Sequence, residues 1–279
     1  MTDAAARHRQ AWDIYQRTGN RGGEATSLGN LGNVLLELGR LDEAIGFLSQ
    51  SLAIYQEIGA RHAEGHLLNS IGCAYLIQGR LPEALDQLER ALALHRDTGS
   101  REGEADDLNN LAELHLDAGR HQTARELATA SLALARESGD QRIEVDASNT
   151  LGTVTRLLGD PATALRFHQG ALKTASEAGY RQGEAAALIG LAQDHSDLGH
   201  HGDASASIEQ ALLTTRRTGL RLLEGHALTA LAAIALESGQ TAQARAHATA
   251  ALAVHRETGH RLGQSRAEGI VDILRGTLP

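Results

Sequence analysis

Cysteine, lysine, proline and aromatic residues are all scarce in this 279-residue chain, and each shortage removes a class of explanation. A single cysteine, Cys73, leaves no internal disulfide framework and no thiolate-rich zinc site, and fits a reducing compartment. Aromatics make up 3% of the residues, too few to fill the deep core of a large globular domain. No apolar run approaches the roughly 18 residues needed to span a bilayer. The amino-terminal MTDAAARHRQAW has no long apolar stretch of the kind a secretion signal carries, so the expected compartment is the cytoplasm. The formal charge is −9, from 26 basic and 35 acidic residues, which argues against direct binding to nucleic acid or to an anionic membrane.

Alanine, leucine and 30 glycines are what the chain has instead, and a hydrophobic fraction of 42% excludes general disorder. Thirteen of the glycines recur every 20 residues without a miss, from Gly19 through Gly39 and Gly59 to Gly259. Between them run segments of 17 to 19 residues with apolar positions at helical spacing, such as Leu28, Leu31, Leu35 and Leu38. Each recurring glycine suits the left-handed position that ends a helix.

Odd and even segments differ, so the true period is 40 residues. Glu24, Glu64, Glu104, Glu144, Glu184 and Glu224 share one column, which continues to Gln264; Leu52, Leu92, Leu132, Leu172, Leu212 and Leu252 share another. Alanine holds a third column in all six copies, from Ala44 and Ala84 to Ala244, and a small residue fixed at one point on a helix is what close helix approach requires. The unit is therefore a helical hairpin. Its first helix carries Leu28-Leu31-Gly32-Leu35 and Leu68-Ile71-Gly72-Tyr75, and its second carries Ala84-Leu88-Ala91. This pattern resembles the tetratricopeptide repeat, in a 40-residue variant longer than the usual 34.

The resemblance covers essentially the whole chain. It implies an all-α fold, a right-handed superhelical α-solenoid of about 14 helices. Residues 1–20 read as a half repeat holding a second helix only, residues 21–260 as six 40-residue units, and residues 261–279 as a closing or capping helix. A start in mid-repeat fits a degenerate cap or a segment of a longer protein, and the second is preferred. Ser148 in a leucine column, Ala112, Ala192 and Ala232 in the first-helix glycine column, and the missing helix-ending proline depart from the family pattern and put local packing in question.

Several residues read as helix punctuation. Asn20, Ser100 and Asp140 stand where N-caps belong, and Pro82 and Pro161 fall in first turns. Arg21, Arg61, Arg101, Arg181, Arg221 and Arg261 each precede a Glu or Gln by three residues, the spacing of an ion pair at a helix start. Among 14 histidines, His62 and His66 could share an ion but lack the H-E-x-x-H of a zinc protease; His115 and His195 read as partly buried between helices, and His200 and His201 as solvated. No phosphate loop is present, and Cys73 has no acid–base partner in its sequence neighbourhood. Neither catalysis nor a cofactor or metal is expected.

The resemblance places the working surface on the concave face, lined by the first helix of each hairpin. Its groove columns bring forward Asn33, His66, Asn69, Asp106, Asn109, Glu113, Asp146, Asn149 and Arg156. Asn69, Asn109 and Asn149 form a ladder through three successive repeats, and asparagines in this column hold peptide ligands in many relatives. The neighbouring carboxylates favour a basic residue on the ligand. The implied function is a non-enzymatic interaction module for a peptide or protein segment, or for other domains of the same chain. Its texture looks like the carboxy-terminal arrays of bacterial regulators and Pins-type adaptors. The alternative is a receptor for a small signalling peptide or metabolite held within the superhelix.

Overall fold

A computed structural model describes residues 2–276, and over that span the chain is a succession of fourteen helices with no strand. The order is α1 (Thr2–Thr18), α2 (Arg21–Glu37), α3 (Leu41–Ile58), α4 (Arg61–Ile77), α5 (Leu81–Thr98), α6 (Arg101–Asp117), α7 (His121–Ser138) and α8 (Gln141–Leu157). It continues with α9 (Pro161–Ala178), α10 (Arg181–Asp197), α11 (His201–Thr218), α12 (Arg221–Glu237), α13 (Thr241–Glu257) and α14 (Arg261–Gly276). Each of α2, α4, α6, α8, α10 and α12 packs against the helix after it as a hairpin, and neighbouring first helices also touch one another down the stack. The result is the α-solenoid that the 40-residue period implies.

Chain direction reverses at each of the thirteen recurring glycines, all of which have φ between 68° and 93°. That left-handed backbone strains any residue with a Cβ, which is why the 20-residue beat admits only glycine. Asn20, Ser100 and Asp140 cap their helices by accepting from the backbone N–H three residues on, at 2.9, 3.3 and 3.0 Å. Asp160, not foreseen as a cap, does the same for Thr163. The expected Arg–Glu pairs form at Arg21–Glu24, Arg101–Glu104, Arg181–Glu184 and Arg221–Glu224. Arg61 departs from the rule and pairs instead with Asp97 on α5 at 2.6 Å.

The packing is a fit of small against large. All six alanines of the Ala44 column are fully buried. A β-carbon added at Gly72 would lie 2.7 Å from Leu88 Cγ, so glycine is the residue that lets α4 and α5 close with a leucine between them. In the next repeat Ala112 faces Ala128, and the extra methyl on one helix is offset by a smaller partner on the other. Three buried histidines are wedged on the same principle. His95 sits against Gly65 and Gly103, His168 against Gly152 and Gly190, and His255 against Gly225 and Gly263. Where Ser148 interrupts the leucine column, a recess of about 130 Å³ opens beside Val145, Phe167 and Ala171.

The carboxy-terminal end of the array comes back onto its early repeats. The turn at Gly39 packs on the backbone of Thr258, Gly79 lies beside Arg261, and Leu41 is buried against Gly259. Arg266 on α14 pairs with Asp117 on α6 at 2.6 Å. The carboxy-terminal end of the array thus stacks on the turn edge of the first three repeats, an arrangement that no local sequence pattern announces.

Candidate functional site

The residues of the groove columns lie on first helices, and the structure divides them into an interlocked part and a free part. Asn69 on α4 belongs to the first. Its Nδ2 donates to Asp107 Oδ1 at 2.5 Å, and its Oδ1 accepts from Asn110 Nδ2 at 3.2 Å and from the Cys73 thiol at 3.7 Å. Asp107 is in turn bound to His95 Nδ1 at 2.6 Å, both side chains being sealed from water. Asn69 is thus committed to the wall, a departure from the three-rung ladder.

Asn109 and Asn149 differ. Asn109 donates from Nδ2 to Glu113 at 3.4 Å, and Asn149 donates to the Gly183 carbonyl at 3.2 Å. Those bonds fix the amide orientation and leave both Oδ1 atoms without a hydrogen-bond partner in side chains that are 3% and 8% exposed. An unpartnered buried acceptor costs about 1–3 kcal/mol relative to a satisfied one, which a donor reaching it would recover.

Carboxylates surround this pair. Asp146 accepts from the Tyr180 hydroxyl at 3.1 Å, and burial pushes its carboxyl up to about 7 in spite of that bond and of nearby Arg142. Glu113 is raised to about 8, by the walls around it first and then by Asp146, Asp117 and Asp106. Its side chain is still exposed, because neighbouring helices surround it without covering it. Asp106 is also raised, again mainly by burial and then by Asp107 and Asp140, with Arg142 opposing. The α6–α8 wall therefore offers acceptors and partly protonated carboxyls, with little positive charge to balance them.

The remaining predicted residues stand apart from this cluster. Asn33 on α2 is exposed, and its side chain makes no hydrogen bond among the described residues. Enclosure, then His95 and His62, lower His66 to about 4, so it adds no charge at neutral pH; its Nε2 lies 3.2 Å from that of His62. Arg156 is engaged by Asp197 at 3.2 Å and reaches Asp194, which also binds His168 Nδ1 at 2.6 Å. Sequence reasoning missed Asp107, His95, Asp194 and His168, the buried pairs that hold the wall. A signal was available for the histidines: His95 and His255 each stand with glycine on both flanking helices, at Gly65 and Gly103 and at Gly225 and Gly263.

No helix among the described residues is long and apolar enough to cross a membrane. No curated protein matches the sequence. Solved structures share the fold at low identity. BtubC from P. vanneervenii is 17% identical with a TM-score of 0.62, over 78% of this chain and 92% of that one. A Rap protein complexed with competence and sporulation factor is 13% identical with a TM-score of 0.65, over 91% and 76%. The Rap conjugation gene regulator of plasmid pLS20, in complex with the Phr* peptide, is 14% identical with a TM-score of 0.68, over 94% and 77%. The tetratricopeptide repeat model matches residues 1–57, 24–97, 63–137, 104–172 and 143–212, and a second tetratricopeptide repeat model matches residues 225–250. With the glycine beat, the alanine column and the hairpin stack, these matches show that the chain belongs to the tetratricopeptide repeat family.

Proposed function

We propose that the protein is a non-enzymatic interaction module that holds an extended, basic peptide segment against the concave wall of α4, α6 and α8. The observation that carries this reading is the pair of unpartnered amide carbonyls of Asn109 and Asn149, set among Asp106, Glu113 and Asp146. The amide carbonyls and the ionised carboxylates there accept hydrogen bonds, so a ligand that donates complements them. Peptide N–H groups suit the amides, and a lysine or arginine side chain suits the carboxylates. The two Rap structures, one complexed with competence and sporulation factor and one with the Phr* peptide, lend the reading support by likeness of fold. A regulatory role in a larger bacterial protein is consistent with it.

Binding of a cation favours the ionised carboxylates. Because Asp146 and Glu113 titrate near 7 and 8, affinity for such a peptide rises between pH 6 and pH 8 as their protons leave. The test is a panel of basic, neutral and acidic peptides against the wild type and the double variant Asn109→Ala/Asn149→Ala. Two lost hydrogen bonds weaken the basic binders about ten-fold or more. Unchanged affinity, or a preference for acidic peptides, would sink the proposal.

A further inference from the structure

We propose that His195, His200 and Asp203 bind a single divalent transition metal of the zinc class, at a site on the α10–α11 turn that is separate from the concave wall. His195 lies in the last turn of α10, His200 immediately precedes α11, and Asp203 is in its first turn. The left-handed turn at Gly199 folds these two helix ends together. One ligand atom from each of the three residues lies within 4.8 Å of the other two, and the two imidazole centroids are 5.8 Å apart. Two imidazoles and one carboxylate are a borderline donor set that suits Zn²⁺, Co²⁺ or Ni²⁺ better than Ca²⁺ or Mg²⁺. Tetrahedral coordination with Zn–N near 2.0 Å places ligand atoms about 3.3 Å apart. His200 and Asp203 are exposed, so they can move the remaining ångström or so inward. A fourth position then stays open to water or to a donor from a partner.

The repeats supply an internal comparison. In the first two, the places of His200 and Asp203 are taken by Arg40–Glu43 and Arg80–Glu83, ion pairs closed at 2.6 and 2.8 Å, with Leu35 and Tyr75 in the place of His195. In the third, His115 has its ring in the same position but Arg120 and Thr123 replace the other two ligands. Among the six repeats all three ligating groups occur together in this one only, and there His200 and Asp203 form no ion pair among the described residues. The buried Nδ1 of His195 is without a hydrogen-bond partner. His115 Nδ1 is in the same condition, so it is the neighbouring His200 and Asp203 that distinguish this repeat.

The experiment is titration of the full, untagged, chelator-treated chain with Zn²⁺ by calorimetry and with Co²⁺ by visible absorption. The expected result is one ion bound with the absorption of a low-coordinate, nitrogen-ligated Co²⁺. His200→Ala and Asp203→Asn, both at exposed positions, each weaken binding at least ten-fold, while the double variant His62→Ala/His66→Ala leaves it unchanged. Absence of binding would overturn the proposal, and so would binding indifferent to His200→Ala and Asp203→Asn or abolished by the His62/His66 variant.

Discussion

Asp117 on α6 accepts an ion pair from Arg266 on α14 at 2.6 Å, although 149 positions separate them in sequence. With the backbone contact between Gly39 and Thr258, it joins the end of the array to its early repeats. Partly exposed ion pairs contribute roughly 0–1 kcal/mol and are screened by salt. Arg266→Ala is therefore expected to leave the melting temperature within a few degrees of wild type while raising the radius of gyration in small-angle scattering. High salt is expected to move the wild type in the same direction. An unchanged scattering profile in both cases would mean that apolar and backbone contacts alone hold the carboxy-terminal end against the early repeats.

The opposition of Gly72 and Leu88 gives a packing prediction. Gly72→Ala forces a β-carbon to within 2.7 Å of Leu88 Cγ and lowers stability by about 1–3 kcal/mol through overpacking. Leu88→Ala alone leaves a cavity at a fully buried site and costs about 2–5 kcal/mol. The double variant recreates the Ala112–Ala128 arrangement of the next repeat, so its loss is smaller than the sum of the two. Denaturant unfolding of the four proteins reads the coupling directly, and strict additivity would contradict this account of the helix approach.

Stability also carries a pH signature with two limbs. Asp146 and Glu113 hold protons in the folded state up to about 7 and 8 that the unfolded chain releases near the ordinary carboxyl range. Their contribution is therefore present at acid pH and is lost as pH rises through 7 to 8. The histidine cluster acts with the opposite sign. His226 Nε2 and His255 Nδ1 each lie 3.3 Å from His260 Nδ1; burial first, then His255 and Arg266, lowers His260 to about 3. Burial, then Arg266, lowers His255 to about 4, and His226 is pushed well down as well. Here stability is present above the ordinary imidazole value and is lost as pH falls below it. Chemical denaturation between pH 4 and 9 should thus show a decline from pH 6.5 to 8.5 that Glu113→Gln/Asp146→Asn flattens. A rise over that interval in the wild type would refute the assignment.

Fold was the more legible half of this molecule, because its determinants are local and repeated. A glycine that must turn left-handed and an alanine that must sit under a neighbouring helix leave columns that survive in every copy. The candidate site was read less completely. Asn69, Asn109 and Asn149 share a column, but their bonding depends on unlike neighbours: Asp107 and Asn110 engage Asn69, whereas Glu113 and Gly183 leave Asn109 and Asn149 with a free carbonyl. A column reports position and says nothing of which side chain across the groove answers it. The contact between Gly39 and Thr258 was invisible for another reason, since it sums the small rotation of every repeat between them. The grouping of His195 with His200 and Asp203 lay across the Gly199 turn, and helix-by-helix reading placed His195 between helices and His200 in solvent, with no reading of Asp203.

The central claim is that ligand lies along the concave wall. The most direct measurement is photo-crosslinking by a reactive analogue of the tightest basic peptide from the panel, with the attachment points mapped on the protein by mass spectrometry. The account predicts crosslinks on α4, α6 and α8, concentrated between His66 and Arg156 and displaced by the parent peptide. Displaceable crosslinks confined to the second helices, such as α5, α7 and α9, would contradict it.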